Sequence, residues 1–337
     1  MPTDEGADVV RHFLADNSLG QLLDGLSRFG ALHGPIRTAE GVEVFGPVQV
    51  EDDLLLTCRR TLIPPKKYLL PPRQTILNYT AADGYTLPDE TAPKVILFGV
   101  HPCDLQGIAY LDRVFLGDRP DRLYRRHREA ITLIGLSCEP DEFCFCASYE
   151  DPPPSADLFL QPVEHGFLVS TGTSKGEGMI AGLEPMFSDL NIAPQPLSEN
   201  RMMTRLREVA KSGETFPDSP LWERFAARCL SCGACSVCCP TCYCFDVLEN
   251  GALDGTTAER FREWDNCLFR AHGEVAGGTN FRPDRRERFH YRYLHKYLGF
   301  GALAGEPACV GCGRCRVVCP VGIDLTELFT EDGDACS

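Results

Sequence analysis

Eight of the 18 cysteines fall into two runs with the same spacing. Each run reads C-x2-C-x2-C-x3-C-P. The members are Cys229, Cys232, Cys235 and Cys239, then Cys309, Cys312, Cys315 and Cys319. Three thiolates at this spacing can surround one corner of an iron–sulfur cubane, whereas the fourth cysteine lies on the next turn and points away from that cubane. The two runs therefore predict two [4Fe–4S] clusters.

The fourth cysteine of each run is predicted to bind the cluster of the other run, as in two-cluster bacterial ferredoxins. One ligand set is then Cys229, Cys232, Cys235 and Cys319, and the other is Cys309, Cys312, Cys315 and Cys239. We expect Gly233 and Gly313 to let the backbone approach the inorganic sulfides and donate N–H groups to them. Two zinc sites are the alternative, but zinc ribbons use paired C-x2-C units instead.

Four more cysteines follow two predicted strands in the first half of the chain. Cys103 follows the apolar run 94–100, and the other three follow the apolar run 131–137. These three are Cys138, Cys144 and Cys146. If the runs are neighbouring parallel strands, both loops open at one edge of the sheet, where a third [4Fe–4S] cluster can form. Unrelated free thiols are the alternative, and the sequence leaves both open.

Six cysteines are left. Cys238 adjoins a run cysteine, and its counterpart in the second run is Val318, so we expect a buried thiol that behaves as a small hydrophobe. Three others are predicted to be buried packing thiols near the first cluster: Cys242, Cys244 and Cys267. The last two, Cys58 and Cys336, are interpreted as incidental to metal binding.

Residues 1–215 are predicted to form a mixed α/β domain. The runs 94–100 and 131–137 are short, apolar and rich in β-branched residues, as buried strands are. Apolar residues recur between them at helical spacing, with Asp104 at the N-cap position. This order of strand, helix and strand predicts a parallel pair with a crossover connection.

Residues 216–337 are predicted to form an α-helical dicluster ferredoxin domain. The 69 residues between Cys239 and Cys309 form a long insert with helical character, which favours two helical hairpins around the clusters. Within the insert, residues 282–296 carry six Lys and Arg against two acidic residues, interleaved with aromatic ones. A solvated helix face and a docking surface for an acidic partner subunit are the two interpretations.

The 337 residues carry a net charge of −15. This balance argues against a general nucleic-acid-binding protein and against docking on an anionic membrane. The apolar runs are too short to span a bilayer, and the acidic N-terminus lacks the apolar core of a signal peptide. We therefore expect a cytoplasmic protein, whose cysteines bind metal rather than form disulfides.

The sequence resembles the β subunits of sulfhydrogenases, which are NAD(P)-linked [NiFe] hydrogenases, and equally the A subunits of anaerobic sulfite reductases. The resemblance extends in order from about residue 68 to residue 323. Its motifs are 68–73 (YLLPPR), 99–104 (GVHPCD), 111–115 (LDRVF), 238–247 (CCPTCYCFDV), 264–269 (WDNCLF), 277–283 (GGTNFRP), 293–296 (YLHK) and 309–323.

The resemblance implies a non-catalytic relay of single electrons. A neighbouring subunit is expected to hold FAD and bind NAD(P)H. The chemistry is expected in small and large hydrogenase subunits or, alternatively, in the sirohaem subunit of a sulfite reductase. No catalytic residue is expected in this chain. An iron–sulfur sensor or structural module is the alternative from another class.

Overall fold

A computed structural model of the chain describes residues 11–49, 53–88, 91–146, 153, 155–183, 186–188, 200–299 and 301–329. The strands are β1 (Arg11–Ala15), β2 (Ala31–Arg37), β3 (Glu43–Pro47), β4 (Arg73–Thr80), β5 (Gly84–Thr86), β6 (Val95–Val100), β7 (Ile131–Leu136), β8 (Leu158–Val163), β9 (Gly166–Thr171), β10 (Phe187–Ser188), β11 (Phe245–Gly251) and β12 (Thr257–Trp264). The helices are α1 (Leu19–Leu26), α2 (Pro102–Phe115), α3 (Arg122–Ala130), α4 (Ser174–Gly182), α5 (Arg201–Ser212), α6 (Leu221–Arg228), α7 (Ala234–Val237), α8 (Arg285–Tyr293) and α9 (Arg314–Val317). A π-helical turn, Leu294–Leu298, continues α8.

The larger sheet has eight strands in the order β10-β1-β9-β8-β7-β6-β2-β3. Its centre is parallel, because β2 pairs with β6, β6 with β7 and β7 with β8 in that sense. Since α2 and α3 connect β6 to β7, the predicted parallel pair with a helical crossover is confirmed. Every residue of β6 and β7 is buried, as expected for strands covered on both faces.

Each face of this sheet has its own apolar core. Ile96 and Phe98 of β6 pack in the core that includes residues of α1 and α4. Val100 packs instead in the core that includes residues of α2. It changes face because the pairing register shifts at Gly99, whose φ is +75°. The bulge needs a residue that tolerates positive φ, and it leads the chain directly into α2, which carries Cys103.

A second sheet joins two distant parts of the chain. Its order is β11-β12-β4-β5, and all its pairs are antiparallel. Its strands β4 and β5 precede residue 215, whereas β11 and β12 form a hairpin inside the insert between the two cysteine runs. The boundary between 1–215 and 216–337 therefore stays a prediction.

The α-helical ferredoxin arrangement is not confirmed, because the insert begins with this hairpin and becomes helical only at α8. Asp254-Gly255 occupies the hairpin turn, and Gly255 has φ +70°. An Asp-Gly pair between two strand-like segments is a strong hairpin signal, so this signal was present in the sequence.

The last third of the chain also has an apolar core. Leu206 of α5, Trp222 and Phe225 of α6, and Tyr293 of α8 are buried in it. Thiols of both cysteine runs pack at its edge: Cys229, Cys235, Cys309 and Cys319. In the part of the chain that the structure describes, no helix is long and apolar enough to cross a membrane.

Candidate metal centres

The first cysteine run occupies a tight loop between α6 and α7. Cys229 ends α6, and Cys235 lies in α7. The Sγ of Cys229 accepts a hydrogen bond from the backbone N–H of Ser231 at 3.2 Å. Gly233 has φ +81°, and a Cβ at this position would lie 2.7 Å from Nδ2 of Asn266. Glycine is therefore required here both by backbone conformation and by space.

The second run is packed against a segment from the first half of the chain. The backbone N–H of Phe145 donates to the carbonyl of Gly311 at 2.8 Å. A Cβ at Gly311 would lie 2.6 Å from the backbone nitrogen of Cys146, and one at Gly313 would lie 2.5 Å from the carbonyl oxygen of Phe143. Because these glycines lack a side chain, the backbone of residues 143–146 can pack directly against the second run. The predicted contact between the run glycines and inorganic sulfide stays a prediction.

Two neighbouring cavities separate the run cysteines into two sets. The thiol residues that line the first cavity are Cys229, Cys232, Cys235, Cys315 and Cys319. Those that line the second cavity are Cys239, Cys309, Cys312 and Cys315. Each ligand set of the crossed pairing therefore surrounds one cavity, and only Cys315 lines both. Thiolates in a mainly apolar enclosure are a donor set that suits an iron–sulfur cluster.

No group of three or more His, Cys, Asp or Glu side chains in the described ranges is placed to hold a single metal ion. A cubane distributes its protein ligands over several iron atoms, so its thiolates need not converge on one point.

Three buried cations stand beside the cavities. Arg292 lines both of them and is 3% exposed. Its guanidinium donates to the carbonyl of Cys235 at 2.8 Å and to Oγ of Ser236 at 2.7 Å. Lys296 lines the second cavity, and Lys66 is the third buried cation. Among the described residues, the polar partners of these cations are carbonyl, hydroxyl and thiol groups rather than carboxylates.

Thiolates and cations shift one another's pKa values. Burial lowers the pKa of Lys66 below its ordinary value. Burial also opposes the charge on Lys296, but thiolates at Cys239 and Cys242 outweigh it and raise the pKa of Lys296. Burial likewise opposes the charge on Arg292, whose pKa the surrounding thiolates raise. These cations favour negative charge on the sulfurs nearest to them, and the pKa of the Cys239 thiol is lowered although burial opposes its charge. Burial dominates at other run thiols and raises the pKa of Cys309 to about 12.

The basic segment 282–296 turns three of its cations inward. Arg288, Arg292 and Lys296 recur every four residues and are buried, whereas Arg285 is exposed. The interpretation as a solvated helix face is therefore wrong for these three residues. The interpretation as a docking surface stays a prediction.

The structure brings together the four cysteines that follow β6 and β7. Cys103 lies in the first turn of α2, and Cys138 follows β7. The thiols of Cys144 and Cys146 are hydrogen-bonding neighbours, and that of Cys146 also interacts electrostatically with those of Cys103 and Cys138. Burial raises the pKa of Cys138 to about 12. The expected meeting at one sheet edge is observed, and a cluster there stays a prediction.

A buried ion pair connects this third group to the second run. Arg314 donates to both carboxylate oxygens of Asp104, at 2.7 and 2.8 Å, and its Nε donates to the carbonyl of Thr61 at 2.9 Å. The prediction that Asp104 caps α2 is wrong. The N-cap is His101, because Pro102 occupies the first helical position, where a missing N–H costs nothing. Asp104 instead serves as the partner of Arg314.

Cys242, Cys244 and Cys267 form a further group of thiols. Cys244 is the hydrogen-bonding neighbour of both Cys242 and Cys267. Cys242 and Cys267 are buried, as predicted. A hydrogen bond from Cys244 lowers the pKa of Cys267 to about 6, and the nearby Arg292 acts in the same direction against burial. The one available signal was the C-x-C spacing at 242–244, which recurs at 144–146.

The other cysteines are not members of these groups. Cys238 is 2% exposed, which confirms its prediction as a buried thiol. The thiol of Cys58 donates to Oε2 of Glu43 at 3.3 Å. Cys336 lies outside the described residues. The 17 cysteines within the described ranges are free thiols.

Comparison with known proteins gives a match to the region of the two cysteine runs and a match over most of the chain. Residues 228–323, which include all eight run cysteines, match the family model described as a 4Fe-4S dicluster domain. The chain is 34% identical to sulfhydrogenase 2 subunit beta of Pyrococcus furiosus over 322 residues, which cover 92% of this chain and 95% of that protein. The chain belongs to the sulfhydrogenase β-subunit family. No solved structure gives a significant match. For this family member, the dicluster match supports iron–sulfur clusters in the region of the two cavities.

Proposed function

We propose that this sulfhydrogenase β-subunit homologue is the electron-transfer subunit of a hydrogenase-type complex. It relays single electrons between a partner subunit with FAD and NAD(P)H and the small and large subunits of a [NiFe] hydrogenase. The observation that carries the proposal is the pair of adjoining thiol-lined cavities, which share Cys315 and Arg292. Clusters in both cavities would be close neighbours, as a relay needs. The relative's name favours hydrogenase partners over those of a sulfite reductase.

The clusters would supply the redox chemistry, and the residues of this chain hold them and set their potentials. The thiols of the two runs would be the ligands. Arg292, buried beside both cavities, places positive charge next to each cluster. Reduction adds negative charge to a cluster, so this guanidinium stabilises the reduced form and raises the reduction potential. No general acid or base is required of this chain.

The relay can be tested on the anaerobically purified complex by EPR. With all subunits present, we expect either NAD(P)H or H2 to reduce the clusters of this chain. NAD(P)H should leave them oxidised when the flavoprotein subunit is removed, while dithionite should still reduce them. Direct reduction of the isolated chain by NAD(P)H would contradict the relay. Oxidation of the reduced clusters by sulfite, with no response to H2, would indicate a sulfite reductase complex instead.

The third group of cysteines supports a third [4Fe–4S] cluster in the same relay. Cys103 interacts electrostatically with Cys312, which lines the second cavity, so this group adjoins that cavity. We propose Cys103, Cys138, Cys144 and Cys146 as its ligands. The third cluster would extend the electron path from the second cavity to the edge of the eight-stranded sheet.

A serine substitution at Cys138 should remove about four irons and four sulfides per chain, because a hydroxyl is a poor replacement for a thiolate ligand. Iron and acid-labile sulfide are measured on the variant and its parent, both purified without oxygen. Cys58→Ser is the control, since Cys58 is a buried thiol that hydrogen-bonds to Glu43 outside every thiol group. Equal iron in Cys138→Ser and the control would refute the third cluster.

A further inference from the structure

We propose that a partner subunit docks on the outer face of the first cavity and exchanges electrons with the cluster there. The partner is a redox subunit whose contact surface has an apolar centre and an acidic rim. This inference rests on the proposed relay, and it adds the surface through which electrons enter or leave the chain.

The walls of the two cavities differ in their exposure to solvent. Three residues in the wall of the first cavity are exposed: Leu230, Cys232 and Pro320. None of the described residues that line the second cavity is exposed. Because Cys232 is itself a predicted ligand, the first cluster has a ligand at the protein surface. The first cavity is therefore the one that a partner can approach closely.

The repeated cysteine spacing allows the exposed positions to be compared with their counterparts. Leu230 of the first run corresponds to Val310 of the second, and their exposed fractions are 63% and 8%. Pro320 is exposed, whereas its counterpart Pro240 is buried. Two residues at the same place in the same local loop would be equally exposed if nothing else packed on them. The difference therefore comes from other parts of the chain.

The first half of the chain covers the counterparts at the second cavity. The loop that contains Val310 packs against residues 143–146, where the backbone N–H of Phe145 donates to the carbonyl of Gly311 at 2.8 Å. Pro240 packs against α2, because a Cβ at Gly107 would lie 2.9 Å from Cβ of Pro240. A partner subunit at the first cavity would cover its wall as the first half of this chain covers the second.

The exposed wall of the first cavity is mainly apolar. Leu230 and Pro320 line it, and the ring of Phe269, 36% exposed, packs against Gly233 in the same wall. A Cβ at Gly233 would lie 2.8 Å from Cζ of this ring. We call these three exposed residues the apolar patch: Leu230, Phe269 and Pro320. Neighbouring exposed apolar residues mark interaction sites, and the centre of a protein interface is more apolar than its rim.

Exposed cations flank the apolar patch: Arg228, Arg270 and Arg285. The guanidinium of Arg228 donates to the carbonyl of Val321, which lines the first cavity. Arg270 directly follows the phenylalanine of the patch, and Arg285 donates to the carbonyl of Ala226 in α6 at 3.0 Å. Among the described residues, these three arginines form no ion pair with a carboxylate. They therefore suit a partner with acidic side chains around its contact surface.

Leu230→Asp, introduced into the full complex, tests the docking surface. A carboxylate in the centre of the contact should weaken the docking of the partner by about tenfold or more, because the charge loses its water. One of the two donors, NAD(P)H or H2, should then reduce the clusters much more slowly, and the donor that fails identifies the partner. The other donor and dithionite should act as in the parent. Iron content and EPR signals should be unchanged, because this side chain is exposed and is no ligand.

Leu253→Asp is the matched control, because Leu253 is an exposed leucine in the hairpin turn, outside the patch. Arg270→Glu tests the rim independently and leaves the apolar patch intact. Its complex should dissociate at a lower salt concentration than the parent in gel filtration, since salt screens the attraction that remains. Arg119→Glu, an exposed arginine between α2 and α3, should dissociate like the parent.

The docking surface is refuted if complexes with Leu230→Asp or Arg270→Glu stay intact as the parent does and both donors reduce their clusters at parental rates. The parent complex in the same experiment tests the relay separately. Clusters that neither NAD(P)H nor H2 reduces in the parent contradict the relay itself. Parental behaviour of the variants contradicts only the docking surface.

Discussion

Replacing Cys319 with serine should remove the same cluster as replacing Cys232, although 86 residues lie between them in sequence. Both residues line the first cavity, whereas two other cysteines of the second run, Cys309 and Cys312, line only the second. Loss of one of four thiolate ligands is expected to cost about four irons per chain and one reduced-state EPR signal. The measurement is iron content with EPR of the dithionite-reduced, oxygen-free protein.

The matched experiment uses the corresponding cysteine of the first run. Cys239→Ser should lose the other EPR signal, in common with Cys312→Ser, because both thiols line the second cavity. Cys238→Ser, one residue away, should keep both signals. If Cys319→Ser instead gave the spectrum of Cys312→Ser, each run would hold its own cluster and the crossed ligand sets would be incorrect.

Replacing Asp104 with asparagine should destabilise the chain by about 3–5 kcal/mol. The side chains of Asp104 and Arg314 are 1% and 2% exposed, and the guanidinium binds both carboxylate oxygens. The substitution leaves a buried positive charge without its partner, which is the most costly way to break such a pair. The temperature at which cluster absorbance is lost in the anaerobic protein should fall by several degrees.

The exposed ion pair on the hairpin provides the control. Arg260 and Glu249 lie opposite each other on β12 and β11, and both side chains are 42% exposed. Glu249→Gln should change stability by about 0.5 kcal/mol or less, because solvent screens this pair. If Asp104→Asn behaved like Glu249→Gln, the buried pair would not be holding the second run against the third group.

Combining Asp104→Asn with Arg314→Met isolates the interaction. Removing both partners leaves no unpaired buried charge, so the double variant should be more stable than Asp104→Asn alone. The same comparison tests how the second run is held against the third group. Arg314 directly follows Gly313 of the second run, and Asp104 directly follows Cys103 of the third group. The pair therefore joins the second run to the third group.

Much of the candidate site was predictable because its ligands are local. A thiolate run at fixed spacing determines its own loop, so the eight run cysteines could be read directly from the sequence. The parallel strands β6 and β7 were equally predictable, since strands buried on both faces are continuous apolar runs. Because the carboxyl ends of parallel neighbours open at the same edge, their order along the chain was enough to place Cys103 and Cys138 together.

The hairpin was missed for a different reason. Its outer strand β11 contains Phe245, Val247 and Leu248 but no strict alternation of apolar and polar residues, and the whole strand is exposed. Its inner strand β12 gains its second partner from β4, which lies far earlier in the chain. Such pairing depends on contacts between distant segments, and it is this pairing that gathers Cys242, Cys244 and Cys267.

By itself, the sequence predicted the eight run cysteines as cluster ligands, because ligand spacing is a property of the local chain. The four-residue spacing of Arg288, Arg292 and Lys296 is compatible with one helical face. Only the tertiary structure decided that this face turns inward. The direction depends on the surroundings of α8, because a buried cation is stable only where hydrogen-bond acceptors or negative charges compensate it.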